Sequence, residues 1–224
     1  MAVNCSSRLR KLQANIGCPR AFINKFMILL AATIENRHIP VRYIRNDPQR
    51  QGQTMKTMTA DDVIGRLDLK PLPGEGGYYR ETYRSGETLS LSALPGRYTS
   101  ARSFGTAIYY LITPEERSLI HRLKSDEVFH FYLGDPALLL QLPPGESART
   151  VTLGADIRRG QVPQCVVPRG VWQGIALAEG GRFALLGTTV APAFDSEDFE
   201  SGNRAALTAL YPDVKAMIEL LTNP

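Results

Sequence analysis

The sequence predicts one all-β domain over residues 58–224, in which short strands close into a barrel or a sandwich. Three observations support this fold class. Glycine and proline are frequent, with 19 and 15 residues, which favours many turns. Runs of strand-forming residues recur about every 8–12 residues between these turn signals. Helices of crossover length do not alternate with the strands in the sequence pattern, which argues against a parallel α/β sheet.

The elements of this domain follow one another in a simple order. Thr59 is a typical helix N-cap and Asp61 and Asp62 lie in the first turn after it, so a short helix is predicted over 61–67. The predicted strands are 78–84, 103–112, 119–123, 127–133, 137–142, 149–153, 164–167, 172–177 and 183–190. Helical stretches are predicted to close the chain over 204–210 and 212–221.

Residues 1–57 differ from the rest in charge. Of the 26 basic and 22 acidic side chains in the chain, this segment holds ten basic ones but only Glu35 and Asp47 as acids. Three interpretations stay open: a disordered basic tail, an organelle transit peptide, and an upstream extension from a misassigned start. The rest of the chain is net acidic, so we expect no nucleic-acid partner.

The sequence also argues against membrane association and favours a reducing compartment. The longest uncharged stretch within residues 1–57, residues 26–34, is much shorter than the roughly 20 residues needed to span a bilayer, so no membrane association is expected. Three cysteines give no disulfide framework, which favours a reducing compartment. The expected location is the cytoplasm, or an organelle if residues 1–57 are a transit peptide.

Two motifs carry a family resemblance. The first contains His121, then Glu127 and Gly134, with Leu123 where a second histidine would stand in the family pattern. The second is Pro-Arg-Gly-Val-Trp-Gln over 168–173, with Gln173 where a third histidine would stand. The segments 76–83, 106–111 and 190–199 extend the similarity over nearly the whole domain.

With both motifs in order, the chain resembles the cupin superfamily, and within it the uncharacterised family called domain of unknown function 985. The resemblance implies a double-stranded β-helix, a jelly-roll-like barrel similar in fold to dTDP-sugar epimerases. It also implies a homodimer. The family has no agreed reaction, so the resemblance leaves the chemistry open.

Strand alternation predicts which side chains face the barrel interior. If Glu127 points inward, then Phe129, Phe131 and Leu133 do so as well, while His130 points outward. By the same rule, His121, Leu123 and Gln173 face inward and Trp172 faces outward. The predicted interior is therefore mostly apolar with a few convergent polar groups, which is typical of a small-molecule site.

From this pattern we expect a cupin that binds a small anionic or sugar-like ligand and has no tightly bound metal. His121, Glu127 and Gln173 offer one imidazole, one carboxylate and one amide, which is a poor transition-metal set. Weak binding of a divalent metal at these three residues is the most that we expect. We predict that Arg80, Tyr79, Tyr109, Phe129 and Gln173 contact the ligand.

Two alternatives remain open. The resemblance to epimerases implies an isomerase in which His121 removes a proton, Glu127 orients His121, and a tyrosine donates a proton. The tyrosines that we consider for this acid are Tyr79, Tyr83, Tyr109 and Tyr110, although aromatic residues on strands more often serve packing. The other alternative is a non-catalytic protein-interaction module whose interior is a filled core.

Overall fold

The structure, a computed structural model, describes residues 58–223. This part of the chain is mostly antiparallel β-structure with a short helix before the strands and two helices after them, which confirms the predicted fold class. The interpretations of residues 1–57 as a tail, a transit peptide or a misassigned start lie outside the described residues. In the described part, no helix is long and apolar enough to cross a membrane.

The strands and helices agree closely with the sequence prediction. The helices are α1 (Ala60–Leu67), α2 (Arg204–Leu210) and α3 (Lys215–Leu220). The strands are β1 (Lys70–Pro71), β2 (Tyr78–Arg84), β3 (Thr88–Leu89), β4 (Arg102–Ser103), β5 (Thr106–Ile112), β6 (Ser118–Arg122), β7 (Asp126–Gly134), β8 (Ala137–Leu142), β9 (Arg149–Leu153), β10 (Gln164–Val167), β11 (Trp172–Leu177), β12 (Ala184–Ala191) and β13 (Glu200–Ser201).

Two sheets pack face to face. The larger has the order β1-β2-β5-β12-β7-β10 and the smaller has the order β13-β6-β11-β8-β9, while β3 and β4 form a separate pair. Apart from the pairs β1–β2 and β8–β9, neighbouring strands in each sheet are far apart in the sequence, so the sheets are held together mainly by long-range pairing. The two motifs meet in this arrangement, because Gln173 of β11 is paired directly with His121 of β6.

The apolar core has three parts that follow from the layers. The central part lies between the sheets and includes the buried residues Tyr110, Phe129, Leu139 and Ile175. A second part lies between the smaller sheet and the C-terminal helices. A third lies where α1 covers part of the outer face of the larger sheet. Burial on both sides of each sheet explains why several strands read as nearly continuous apolar runs.

Helix α1 begins where the sequence predicts. The Thr59 hydroxyl accepts a hydrogen bond from the backbone N–H of Asp62 at 3.2 Å, and the Asp62 carboxylate accepts one from the backbone N–H of Thr59 at 3.1 Å. This reciprocal capping box satisfies two N–H groups that a helix start leaves unpaired. Val63 is the buried residue of the helix and anchors it to the larger sheet.

Two strand predictions need correction. The predicted strand 103–112 is two strands, because Phe104 and Gly105 separate β4, which pairs with β3, from β5 in the larger sheet. Leu133 does not face the interior. Phe131 is paired with Leu186 and Leu133 with the adjacent Leu185, so one extra residue bulges out of β7. A bulge reverses the alternation beyond it, and Leu133 instead lines an apolar groove on the outer face.

Candidate functional site

A cavity of about 200 Å³ lies inside the sandwich and draws its lining from both sheets. Strands β2, β5, β7 and β12 of the larger sheet and β6 of the smaller sheet contribute to it. The apolar lining residues are Leu72, Ile108, Leu123, Val190 and Phe194. The polar ones are Glu75, Tyr79, Glu81, Arg84, Thr106, His121, Glu127 and Thr188. The cavity thus combines an apolar wall with a concentrated set of ionisable groups.

Glu127 is a buried carboxyl group in this lining, with 7% of its surface exposed. Strand β7 places it there by alternation, next in line to the core residue Phe129. Burial raises the pKa of Glu127 from 4.5 to about 7, and the nearby Glu75 carboxylate adds to the increase. His121, Thr188 and Gln173 act in the opposite direction by favouring the charged form. At neutral pH this carboxyl group therefore exchanges readily between its two protonation states.

The Gln173 amide links Glu127 to His121. Its Nε2 donates to the Glu127 Oε2 atom at 2.6 Å and lies 3.4 Å from the His121 Nε2 atom. Its Oε1 atom is buried without a hydrogen-bond partner in the described part of the chain. The amide therefore holds the two ionisable side chains in one network and retains an acceptor for a hydroxyl or water donor.

The surroundings of His121 define its tautomer when it is neutral. Its Nδ1 atom lies 2.8 Å from the Leu119 carbonyl oxygen, which can only accept, so Nδ1 carries the proton. The lone pair is then on Nε2, 3.9 Å from a carboxylate oxygen of Glu75. The ring of Phe199 stacks on the imidazole at a centroid distance of 5.0 Å and an interplanar angle of 22°. One face of the ring is therefore covered by an apolar group.

Glu75 is a member of the site that the sequence reasoning missed. Its carboxylate accepts a hydrogen bond from the Ser118 hydroxyl at 3.0 Å, and its carbonyl oxygen accepts one from the backbone N–H of Leu119 at 2.7 Å. Gly76 and Gly77 follow with positive φ angles of 91° and 70°. A Cβ atom on Gly76 would lie 2.3 Å from a backbone oxygen. The sequence signal of this turn is the Gly-Glu-Gly-Gly run over 74–77, and the turn brings the Glu75 carboxylate to the cavity.

The structure distributes the predicted ligand contacts over three places. Tyr79 lines the cavity. Phe129 and Gln173 do not line it: Phe129 lies in the central core beside it, and the buried Gln173 contacts the lining residue Glu127. Arg80 and Tyr109 do not line the cavity. They are opposite each other on β2 and β5, and the Arg80 guanidinium lies 5.4 Å from the centre of the Tyr109 ring on the outer face. Their predicted contact with a ligand in the barrel is therefore corrected, because alternation from Tyr79 turns them away.

The other tyrosines considered as acids are also placed. Tyr110 is fully buried and donates a hydrogen bond to the Gly76 carbonyl oxygen at 2.9 Å, and burial raises its pKa well above the usual value. Tyr83 is 55% exposed and does not line the cavity. His130 lies off the cavity, as alternation predicts, and stacks on Tyr132 at a centroid distance of 6.4 Å. Tyr79 is therefore the tyrosine placed to contact a molecule in the cavity.

The segment between β12 and β13 brings two aromatic side chains to the site, namely Phe194 and Phe199. It is held by a buried ion pair. The Arg102 guanidinium donates two hydrogen bonds to the Asp198 carboxylate, from Nε and from Nη2, each at 2.8 Å. Lys124 lies 3.4 Å from the same carboxylate. The ion pair therefore fixes the residue that directly precedes Phe199.

The donor set expected for a weak metal site does not fit a cation well. The Gln173 amide presents its nitrogen, not its oxygen, to both Glu127 and His121. A cation between these groups would meet N–H hydrogens, whereas hard cations require oxygen ligands. In the described part of the chain, no group of three or more His, Cys, Asp or Glu side chains is arranged to hold a metal ion.

The chain matches one family model and is similar to a yeast protein. The family model described as cupin superfamily (DUF985) matches residues 61–202. An uncharacterized protein of Saccharomyces cerevisiae is 29% identical over 132 residues, which are 55% of this chain and 66% of the yeast protein. The chain thus spans slightly less than two thirds of that relative.

Two solved structures are similar over most of the described domain. A hypothetical protein from Leishmania major is 34% identical, with a TM-score of 0.67, and the match covers 75% of this chain and 100% of that one. A protein from Shewanella oneidensis is 36% identical, with a TM-score of 0.66, and the match covers 75% of this chain and 99% of that one. These likenesses confirm the resemblance seen in the sequence motifs.

Proposed function

Because the chain belongs to the DUF985 family of the cupin superfamily, we propose that the cavity between its sheets binds a small uncharged molecule that carries hydroxyl groups. The observation that carries this proposal is the charge of the lining. Glu75, Glu81 and Glu127 all face the cavity, and such carboxylates accept hydrogen bonds from hydroxyl donors. Of the two options from the sequence, the lining favours a sugar-like ligand over an anionic one.

The balance of cations supports the same conclusion. Arg84 is the one Lys or Arg side chain among the described lining residues. It already donates two hydrogen bonds to Glu81, at 3.1 and 2.7 Å, and a third to the Phe194 carbonyl oxygen at 3.2 Å. The charges of Glu81 and Arg84 therefore offset each other, and an anion in the cavity would meet the remaining carboxyl groups of Glu75 and Glu127 with no uncommitted guanidinium. Like charges at short range in a partly buried site are unfavourable.

The size of the cavity limits the ligand further. Its volume of about 200 Å³ lies below the roughly 300–1,000 Å³ of sites that hold drug-sized ligands. The apolar wall contributed by Ile108, Leu123 and Val190 suits the C–H faces of a compact polyol or monosaccharide unit. Tyr79 adds an aromatic surface that can pack against such a face.

A second candidate function is proton transfer on the bound molecule, with His121 as the base. The observation that favours it is the bond from Nδ1 to the Leu119 carbonyl oxygen, which directs the Nε2 lone pair toward Glu75 and Gln173. A general base needs such an oriented lone pair within reach of the proton that it removes. Glu127, with a pKa of about 7, supplies a second group that can take up or release a proton.

The experiment is a thermal-unfolding screen of the full chain against neutral monosaccharides and polyols, with sugar acids as charged analogues. A neutral ligand at 100 times its dissociation constant should stabilise the protein by about 2.7 kcal/mol. We expect Glu127→Gln to weaken binding about tenfold, since an amide replaces a carboxyl group that is partly charged at neutral pH and then accepts hydrogen bonds more strongly. The matched control Glu146→Gln, at an exposed acid, should leave binding unchanged. A flat response, or a preference for the sugar acids, would contradict the proposal.

The same ligands test proton transfer. A bound ligand that carries a carbonyl group, such as an aldose or a ketose, is incubated in D₂O, and exchange of the proton on the carbon next to the carbonyl is followed by NMR for the wild type and for His121→Asn. We expect exchange in the wild type and none in the variant, with binding retained. Unchanged exchange in the variant would exclude His121 as the base. A ligand that binds without exchange would identify a binding protein instead of an isomerase.

A further inference from the structure

A second recess, of about 470 Å³, lies beside the cavity and is lined by a different set of residues. We refer to it as the cationic groove. Leu123 lines both the groove and the cavity, and Phe199, which stacks on His121, lines the groove. The basic residues that line the groove are Arg97, Arg122, Lys124 and Arg169, and the acidic ones are Glu197, Asp198 and Glu200.

Two acidic side chains of the groove, Asp198 and Glu200, are already paired with basic side chains. Asp198 receives two hydrogen bonds from the buried Arg102, each at 2.8 Å, and an ion pair from Lys124 at 3.4 Å. Glu200 receives two hydrogen bonds from Arg122, also at 2.8 Å each. With Arg102 behind the groove included, five cations face three carboxylates, so the groove has an excess of positive charge.

Glu197 is engaged as well, although it lies at the surface. Its carboxylate accepts hydrogen bonds from the hydroxyls of Thr99 at 2.7 Å and Ser100 at 3.0 Å. The same carboxylate also lies 3.4 Å from the Nη2 atom of the buried Arg102. The acidic side chains therefore leave part of the cationic charge unneutralised.

That remaining charge belongs to Arg97 and Arg169. In the described part of the chain, neither guanidinium has a carboxylate partner, and both residues are exposed. Arg97 is nevertheless held in place, because its Nε donates to the Lys124 carbonyl oxygen at 2.8 Å and its Nη2 donates to the Tyr98 hydroxyl at 3.2 Å. The backbone of Arg169 is held by a hydrogen bond from its N–H to Asp126 at 2.8 Å.

From this geometry we propose that the cationic groove binds the phosphate or pyrophosphate group of a small molecule. A planar guanidinium can donate two parallel hydrogen bonds to phosphate oxygens, which a compact ammonium cannot do. Two such guanidiniums with unused donors, supported by Lys124, form an anion site in which part of the ordering cost is already met by their fixed neighbours. The groove goes beyond the cavity ligand proposed above and does not depend on it.

The test uses the full chain and inorganic pyrophosphate, with inorganic phosphate as the smaller probe, in isothermal titrations at low ionic strength. We expect saturable binding of pyrophosphate that the double variant Arg97→Gln/Arg169→Gln weakens about tenfold or more, because charged hydrogen bonds are lost. Arg158→Gln is the matched control. It removes one exposed arginine in the turn Ile157–Arg159, outside the groove, and Arg158 itself makes no ion pair with any described residue.

The outcomes separate the groove from other sources of affinity. Binding by the basic residues 1–57 would survive the double substitution, so only the part that is lost counts for the groove. Unchanged pyrophosphate affinity in the double variant, or an equal loss in Arg158→Gln, would overturn the proposal. Since the probes carry no sugar, failure here leaves the cavity proposal standing, and failure of the sugar screen leaves this one standing.

Discussion

At the scale of single residues, the carboxyl group of Glu127 couples the cavity to pH. Its pKa in the folded protein is about 7 because burial disfavours the charged form, whereas the ordinary value is 4.5. The folded state therefore binds this proton more tightly than the unfolded chain does. The resulting stabilisation is fully present below pH 4.5 and is lost as the pH rises through 7.

We predict that Glu127→Gln removes this pH dependence. Between about pH 4.5 and pH 7 the wild type should lose on the order of 3 kcal/mol of unfolding free energy relative to the variant, from the size of the pKa change. Urea unfolding at a series of pH values measures this difference. The contributions of other titrating groups to the unfolding free energy are the same in both proteins and cancel. Glu146→Gln should parallel the wild type, and a wild-type–Glu127→Gln difference that does not vary with pH would contradict the assignment.

The individual side chains of the site were partly predictable. Alternation along the strands was enough to place His121, Glu127 and Gln173, although the ladder between β6 and β11 shifts register directly beside the pair of His121 and Gln173. Glu75 was not predictable in this way, because it lies in a glycine-rich turn with no periodicity. Phe199 follows a short helical turn, and no pattern in the sequence indicates the ring on which it stacks.

At the scale of elements, the connection from β12 to β13 depends on one ion pair. Arg102 and Asp198 are both almost fully buried, and the charge of each is compensated mainly by the other. Removing one partner of a buried pair leaves an uncompensated charge, which costs about 3–5 kcal/mol, whereas an exposed pair contributes roughly 0–1 kcal/mol. The connection therefore depends strongly on this contact.

We predict that Arg102→Met lowers the unfolding free energy by about 3–5 kcal/mol, because it leaves the Asp198 carboxylate buried with only Lys124 nearby. Arg159→Met, which breaks the exposed pair with Asp156, should change it by less than about 1 kcal/mol. Urea unfolding gives both values. Equal effects of the two substitutions would show that the buried pair does not hold the connection.

The limits of prediction at this scale come from irregular backbone. Strands β8, β9, β10 and β11 have the predicted bounds, since turn residues delimit each of them. The bulge near Tyr132 was not visible in the sequence. The side chain of Tyr132 lies over Gly187, which pairs with His130, and a Cβ atom on Gly187 would come within 2.2 Å of the Tyr132 hydroxyl. The register between β7 and β12 therefore involves a glycine of β12, which cannot be recognised from the sequence of β7 alone.

At the scale of the whole molecule, the outer face of the larger sheet remains partly uncovered. Tyr132 and Val166 are 50% and 51% exposed there, next to an apolar groove of about 520 Å³ that Leu133 and Tyr109 line. The homodimer that the family resemblance implies stays a prediction. We expect it to use this face, because exposed apolar surface of this kind is typical of protein interfaces.

The prediction is that Val166→Lys shifts the mass in solution from a dimer toward a monomer, since an interfacial lysine would be buried without a partner. Size-exclusion chromatography with light scattering measures the mass. Ile157→Lys is the control, because Ile157 is 69% exposed in a turn and is not part of this face. A monomeric wild type, or dissociation by both substitutions, would contradict the prediction.

The fold as a whole was more predictable than its chemistry. Two motifs in the right order, in a chain with regular turn signals, were sufficient for the two-sheet architecture, because strand length and alternation are local properties of the sequence. The negative charge of the cavity, in contrast, cannot be predicted from any single segment of the sequence. It arises when Glu75, Glu81 and Glu127 come together from a turn and two strands.

The stacking of Phe199 on His121 also has a spectroscopic consequence. Protons held above an aromatic face lie in its shielding cone, so the carbon-bound imidazole protons of His121 should resonate upfield of those of an unstacked histidine. The chain has 3 histidines, which makes such a displaced signal easy to assign. The protein thus contains its own unlabelled probe, which reports on ligand entry and on movement of the connection that carries Phe199.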